Sequence, residues 1–243
     1  MSSTNETGHA KNAANFQDLI AFATGYGAAY NPSKTALKLP QLTALKTATD
    51  TKITDVITKN TAYNNKVNER VIAFSNLKTL STRLISALEV TNASPQMLED
   101  AKGFNRKIQG QRATSVVPPT DPNAPAPTTI SSSQLSYDQL IQHFSALIAV
   151  LQSEPTYTPN EVELKIITLT SKLNDLIAKN NAVATAYTNL SVSRIARNTS
   201  LYGTDIGIIA IAADVKKYVK SIYGAQSAEF ALVKGIEFLK QKK

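Results

Sequence analysis

The sequence predicts an all-α protein built from tandem-duplicated helical bundle units, with long antiparallel helices related by a pseudo-twofold axis. Three observations support this prediction: a heptad spacing of apolar residues, long stretches without glycine or proline, and an internal sequence similarity. Alternating runs and Asn-Gly turns, which would indicate strands, are nearly absent.

The heptad spacing occurs twice, in steps of three and four residues. The residues are Ile53, Val56, Asn60, Tyr63, Val67, Arg70, Phe74 and Leu77 in one stretch, and Ile166, Leu169, Leu173, Leu176, Asn180, Val183, Tyr187 and Leu190 in the other. This repeat is typical of helices that pack along a shared seam. Because neither stretch contains a helix breaker, each predicts one long helix.

The internal similarity indicates a duplication. TKITDVITKN (51–60) matches SKLNDLIAKN (171–180) at five of ten positions. FQDLI (16–20) pairs with YDQLI upstream, and ASPQMLEDAKGF (93–104) pairs with AQSAEFALVKGI downstream. The separation grows from 120 to 132 positions, so the second copy is expected to carry about 12 extra residues around YGTDIGIIAIAA (202–213).

These matches divide the chain into four parts. We expect a disordered N-terminus at 1–14, a first helical repeat at 15–109, a Pro/Ser/Thr-rich linker at 110–135 and a second helical repeat at 136–243. Pro40 and Pro159 precede the long helices, and Ser94 and Ser227 begin the last helix of each repeat, with Ser94 as the N-cap.

Composition narrows the function classes. The 243 residues carry a net charge of +8, which is spread over both halves, whereas a dedicated nucleic-acid domain usually concentrates its basic residues. The absence of cysteine excludes disulfides, thiolate metal sites and cysteine nucleophiles. No signal peptide is visible, and the longest apolar run, IGIIAIAA (206–213), is too short to span a membrane. We therefore expect a soluble cytoplasmic protein.

Motifs for catalysis are missing. None of the common hydrolase, metalloprotease or nucleotide-binding signatures occurs, and His9 and His143 have no partners at metal-ligand spacing. Gly25-Tyr26-Gly27 fits a helix C-terminus better than a phosphate loop, because no strand precedes it. We expect no enzymatic activity, no cofactor and no bound metal.

Seven polar residues stand out as candidate site residues. Asn60 and Asn180 occupy seam positions, where a buried amide fixes register and pairing, so the two are expected to form a polar layer, near one another or at equivalent bundle positions. Arg194 and Arg197 continue the second seam and could contact an anion or an acidic partner, or lie where the seam opens to solvent. Lys216, Lys217 and Lys220 could contact phosphates, or form a solvated helix face.

Three stretches of the second repeat carry a resemblance. YTPNEVELK (157–165), SRIARNTSLY (193–202) and VKKYVKSIYG (215–224) resemble recurring stretches in an uncharacterised bacterial family of duplicated all-helical proteins. The resemblance implies a bacterial origin and a helical fold. It implies no activity, cofactor or catalytic residue.

The sequence therefore predicts a non-enzymatic interaction or scaffold protein, which binds a protein partner or itself through long helix faces. One alternative is a nucleic-acid-binding protein that uses the Lys-rich C-terminal region. Another is an α-helical membrane-acting protein in which IGIIAIAA inserts into lipid, although no integral membrane segment is expected.

Overall fold

A computed structural model of the chain describes residues 7–110 and 135–239. These residues form eight α-helices and no strand, which confirms the all-α prediction. Short 3₁₀ helices precede the long helices. The helices are α1 (Thr7–Gly25), α2 (Leu39–Phe74), α3 (Leu77–Glu89), α4 (Pro95–Gln109), α5 (Tyr137–Gln152), α6 (Ile166–Tyr202), α7 (Ile208–Tyr223) and α8 (Ala228–Lys234).

The chain divides into two compact units. Unit 1 comprises Met1–Tyr63 and Ala186–Lys243, and unit 2 comprises Asn64–Thr185. The borders of the units fall inside α2 and α6, so they do not coincide with the borders of the predicted repeats. Each unit combines the first half of one repeat with the second half of the other.

The structure describes the second half of the predicted disordered N-terminus but almost none of the predicted linker. Residues 7–14, predicted as disordered, belong to α1, where Asn12 and Ala13 are buried. The sequence-based expectation was wrong for them because their partners lie more than 200 positions away, at Leu239. Most of the predicted linker, residues 111–134, lies outside the described residues.

The core of unit 1 joins α1 and the start of α2 to the end of α6 and to α7. Phe16, Leu19 and Leu42 are fully buried there with Leu201 and Ile208. The run IGIIAIAA forms the connection before α7 and its first turns, and its residues Ile208, Ile211 and Ala212 belong to this core. Most of the run's apolar side chains thus pack inside unit 1, whereas Ile206 is exposed.

The core of unit 2 is built from the remaining halves. Leu84 and Leu88 of α3 pack with Phe144 and Leu147 of α5, and Leu176 of α6 completes the cluster. Helix α4, which follows α3 in unit 2, begins as predicted. The Ser94 hydroxyl accepts a hydrogen bond from the Met97 amide at 3.3 Å. Ser227 caps α8 in the same way.

Each long helix is preceded by a loop that begins with a buried tyrosine. The positions of these two tyrosine loops give one alignment of α2 with α6. The Tyr30 hydroxyl donates to the Leu37 carbonyl at 2.8 Å, and the Tyr157 hydroxyl donates to the Leu164 carbonyl at 3.0 Å. Burial raises the pKa of each phenol to about 12. The loops YNPSKTALK (30–38) and YTPNEVELK (157–165) are 127 positions apart, as are the first residues of α2 and α6.

The matching decapeptides are 120 positions apart, one heptad short of this structural register. TKITDVITKN begins 12 residues beyond the first residue of α2, whereas SKLNDLIAKN begins only five beyond the first residue of α6. A heptad shift preserves the seam pattern, so periodicity alone does not distinguish the two registers. In the register of the loops, the caps Ser94 and Ser227 are six positions further apart than the loops are, compared with the 12 positions expected from the decapeptides.

A buried hydroxyl pair joins the long helices within unit 1. The Thr49 and Ser200 hydroxyls are 2.7 Å apart, and Thr49 also donates to the Leu45 carbonyl. We expect Thr49→Val to lower the free energy of unfolding by about 1 kcal/mol, because it removes the hydrogen-bond partner of the buried Ser200 hydroxyl. Chemical denaturation measures the loss, and the double variant with Ser200→Ala should recover most of it. A double variant as unstable as the sum of both single variants would contradict this.

Candidate functional site

The most exposed residues of α2 are uncharged. In unit 1 its exposed positions define what we call the neutral face, and the residues are Pro40, Gln41, Thr43, Ala44, Thr47, Ala48, Thr51, Thr54, Ile57, Thr58, Thr61 and Ala62. In the unit 2 part of α2 the exposed positions are Asn64, Asn65, Asn68, Val71 and Ile72. Surface helices of globular proteins usually place their charged residues on the solvent side, so this arrangement is unusual.

The charged residues of α2 have intermediate exposure as whole residues, and most of them are paired within the helix. Lys46 pairs with Asp50 at 2.5 Å, Lys59 with Asp55 at 3.9 Å, and Lys66 with Glu69 at 2.7 Å. The side chains of Asp50, Asp55 and Lys59 are 42–49% exposed. Charge beside the neutral face is therefore balanced within ion pairs.

Threonine hydroxyls on the neutral face bond back to their own helix. Thr47, Thr51, Thr58 and Thr61 each donate to the carbonyl four residues earlier, at distances of 3.0–3.2 Å. Because each hydroxyl is turned toward the backbone, the methyl group is what the side chain presents to water. Together with Ile57, which is 61% exposed, these methyl groups make the face less polar than its composition indicates.

The structure places Asn60 and Asn180 in different units. Both are half-buried, but Asn60 lies 21 residues beyond the first residue of α2 and Asn180 only 14 beyond the first residue of α6. The Asn180 amide is used within unit 2: its oxygen accepts from Arg70 at 3.0 Å, and its nitrogen donates to Asp138 at 2.8 Å. The hydrogen bonds of Asn180 thus do not depend on Asn60.

The partners of Asn180 form a polar cluster that the sequence did not reveal. The Arg70 guanidinium lies 4.0 Å from the centroid of the Tyr137 ring, a cation–π contact. Beside it, Glu69 accepts hydrogen bonds from Lys66 and Lys179, which hold its pKa below the usual value. Arg70 occupies a seam position of the predicted helix. An arginine at a position that is usually apolar was the sequence signal that could have indicated this cluster.

Arg194 and Arg197 have different environments. Arg197 is buried and donates to the Asn198 side-chain oxygen from Nε at 3.1 Å and from Nη2 at 3.0 Å. Arg194 is exposed, so it does not continue the seam. The structure does not bring the two guanidinium groups to one anion site on the same face.

The three candidate lysines of α7 make different contacts. Lys216 donates to the Ile236 carbonyl and lies 5.4 Å from the Phe238 ring centroid, and burial lowers its pKa. Lys217 is exposed and pairs with Asp214 at 3.2 Å, and Lys220 is exposed near Phe230. Since Lys216 holds the segment after α8, it is unsuited to contact phosphates, and the nucleic-acid alternative loses one of its three residues.

His143 is buried in unit 2. Its Nε2 atom has no hydrogen-bond partner among the described residues, and burial, with the nearby positive charge of Lys107, lowers the pKa of its imidazole. The unfolded chain therefore binds a proton more readily, so the free energy of unfolding should fall as the pH drops below about 6.5. We expect His143→Leu to flatten this dependence in urea titrations between pH 5 and 7. An unchanged slope would contradict the assignment.

Two further features are absent from the described residues. These residues contain no group of three or more His, Cys, Asp or Glu side chains placed to hold a metal ion. None of the helices in residues 7–110 and 135–239 is long and apolar enough to cross a membrane.

Comparisons with known proteins leave the fold and the sites to be interpreted from the chain itself. No protein-family model matches the sequence, no curated protein matches it, and no solved structure matches it.

Proposed function

We propose that the protein is a non-enzymatic interaction protein that self-associates through the neutral face of α2. The observation that carries the proposal is the distribution of charge on this helix: its most exposed residues are uncharged, and the charged residues beside them are paired within the helix. An uncharged, methyl-rich surface loses little hydration when it packs against another surface.

A second copy of the chain is the occupant that charge favours. Two copies with a net charge of +8 repel each other over most of their surfaces. The neutral face is a region where they can approach without placing like charges together. Its 12 exposed residues in unit 1 form a surface smaller than the 20–30 residues per side of a standard interface, so we expect weak association.

Sedimentation velocity over a concentration series tests the proposal. We expect the wild-type chain to dimerise with a Kd on the order of 100 μM. The double variant Thr51→Glu/Thr58→Glu should stay monomeric, because a carboxylate in the contact loses its water without gaining a partner. The two substitutions reduce the net charge to +6, which by itself would favour association.

The matched control is Gln17→Glu/Ala21→Glu, which adds the same charge at exposed positions of α1 in the same unit. It should dimerise at least as well as the wild type. If both double variants dimerise equally, the neutral face is not the contact. If the wild type stays monomeric and a pull-down recovers a partner whose binding the Thr variants abolish, a different protein occupies the face.

We also infer that the chain arose by duplication, in the register of the tyrosine loops. The supporting features are the paired tyrosine-to-carbonyl bonds, the motifs FQDLIA (16–21) and FSALIA (144–149) on the preceding helices, and the two serine caps. The pseudo-twofold relation stays a prediction.

A further inference from the structure

Unit 2 contains an open groove between α3 and the loop that precedes α6. Its volume is about 860 Å³, within the range of small-ligand and side-chain pockets. Ala87 and Val90 line it from α3, and Tyr157, Pro159 and Leu164 line it from the loop. Its apolar part therefore lies over the buried Tyr157.

The corresponding place in unit 1 is filled by an aromatic ring. There Tyr30, the counterpart of Tyr157 in the matching loop, contacts Tyr218 of α7. The ring centroids are 5.3 Å apart and the planes are inclined by 85°, the edge-to-face arrangement that aromatic pairs prefer. Tyr218 thus covers the loop tyrosine of unit 1 with a side chain from its own chain.

The helices α3 and α7 can be matched residue by residue. All five buried positions of α7 match buried positions of α3 when 131 positions separate them, and only Ile85, which matches Lys216, departs from the pattern. The matched pairs are Leu77 with Ile208, Leu80 with Ile211, Ser81 with Ala212, Leu84 with Val215 and Leu88 with Val219. In this register Tyr218 corresponds to Ala87. The groove therefore exists where the chain has a methyl group in place of a phenol ring.

An ion pair lies beside each site, and the helix residues of the two pairs match in this register, whereas their loop residues do not, because Lys34 matches Glu161. Arg83 of α3 contacts Glu163 of its loop at 2.6 Å, and Asp214 of α7, at the matching position, contacts Lys34 of its loop at 2.8 Å. Both pairs hold a loop against a helix next to the loop tyrosine. Arg83 is paired, and the two other charged residues of the lining, Lys78 and Glu161, have opposite signs, so the lining does not favour an ion of one sign.

Polar groups at the rim suit a phenol. Ser86, Thr158 and Asn160 line the groove with exposed side chains that can donate or accept hydrogen bonds. A tyrosine side chain placed over Tyr157 would bury its ring on Ala87 and Leu164 and keep its hydroxyl near this rim.

We propose that this groove binds a tyrosine side chain of a protein partner, in the position that Tyr218 fills in unit 1. This inference does not depend on the neutral face or on self-association. It concerns unit 2 and a ligand chemistry that unit 1 itself displays.

Binding can be measured by NMR on the full chain, with p-cresol as the probe of the tyrosine ring. We expect saturable shifts of the Ala87 and Leu164 methyl signals. The peptide acetyl-Gly-Tyr-Gly-amide should shift the same signals, and acetyl-Gly-Ala-Gly-amide should not. The compound 4-methylcyclohexanol, of similar size but without a π system, should bind more weakly than p-cresol.

Filling the groove should remove the binding. Ala87→Tyr is expected to weaken p-cresol binding about tenfold or more, because its ring takes the place that Tyr218 takes in unit 1. Ala87→Leu is a second, smaller filling, and circular dichroism melts establish that both variants fold. Ala213→Tyr, at an exposed position of α7, is the matched control and should bind p-cresol as the wild type does.

Three results would overturn the proposal. They are the absence of saturable shifts at Ala87, unchanged binding in folded Ala87→Tyr and Ala87→Leu variants, and equal binding of 4-methylcyclohexanol and p-cresol. If p-cresol binds but the tyrosine peptide does not, the site takes a free aromatic molecule, and the assignment to a protein partner is wrong.

Discussion

Replacing Asn12 by alanine should lower the free energy of unfolding by about 3 kcal/mol. The Asn12 side chain is fully buried in α1, and it bonds to both backbone groups of Leu239. Its nitrogen donates to the Leu239 carbonyl, and its oxygen accepts from the Leu239 amide, each at 2.8 Å. The substitution removes the hydrogen-bond partner of the Leu239 carbonyl and of the Leu239 N–H, and it creates a cavity at the position of the amide. Urea unfolding measures the loss, and hydrogen exchange at residues 236–239 should become faster.

Asn15 provides the control for this prediction. It lies one turn further along α1 and donates to the Glu237 carbonyl at 2.5 Å, but it is half-buried, so water can replace the bond. Asn15→Ala should cost less than about 1 kcal/mol. Equal losses for the two variants would show that burial of the Asn12 amide is not what holds the segment after α8.

Replacing Asn180 by leucine should lower the free energy of unfolding by about 2 kcal/mol. Leucine takes away the acceptor of Arg70 and the donor to Asp138, and the Arg70 Nε atom is already buried with no hydrogen-bond partner in the described part of the chain. Chemical denaturation of the variant measures the effect. Asn181→Leu, at the exposed neighbouring position, should change stability by less than about 0.5 kcal/mol.

The double variant Asn60→Leu/Asn180→Leu distinguishes this account from a paired seam. If the two amides were partners, leucine at both positions would restore the lost stability. Because Arg70 and Asp138 are the partners of Asn180, we expect no rescue by Asn60→Leu. A double variant as stable as the wild type would support the paired seam instead.

Local sequence signals predicted the secondary structure well. The heptad pattern identified α2 and α6, and Leu169, Leu176 and Leu190 are buried as seam residues should be. The Ser94 cap was predictable because a cap needs only residues three positions apart. Such features depend on neighbours in the chain, which a single sequence displays directly.

The register of the two long helices could not be predicted in the same way. A heptad pattern looks the same after a shift of seven residues, so it fits the register of the decapeptides and the register of the loops equally well. The longer motif YxPxxxxLK, which begins at Tyr30 and at Tyr157, was the better signal, because its turn and proline fix one position rather than a period.

The candidate sites were hidden for another reason. The bond between Arg70 and Asn180 spans 110 positions, and the groove depends on a difference between Ala87 and Tyr218 that matters only after two helices are matched in space. The outward direction of the threonine methyl groups likewise depends on hydrogen bonds to the helix backbone. None of these relations leaves a pattern along the chain.

The two units become complete at different times during synthesis on the ribosome, because unit 2 is one continuous stretch and unit 1 is made of two. Unit 2 is a single stretch, Asn64–Thr185, so all of its residues can leave the exit tunnel before synthesis ends. Unit 1 needs Ala186–Lys243 to cover the apolar residues of α1 and early α2, such as Phe16 and Leu42. At about 5–20 residues per second, these surfaces stay uncovered for roughly ten seconds or more after they emerge. The nascent chain therefore passes through a stage in which all residues of unit 2 have been synthesised, while the first part of unit 1 exposes apolar side chains that a chaperone could bind.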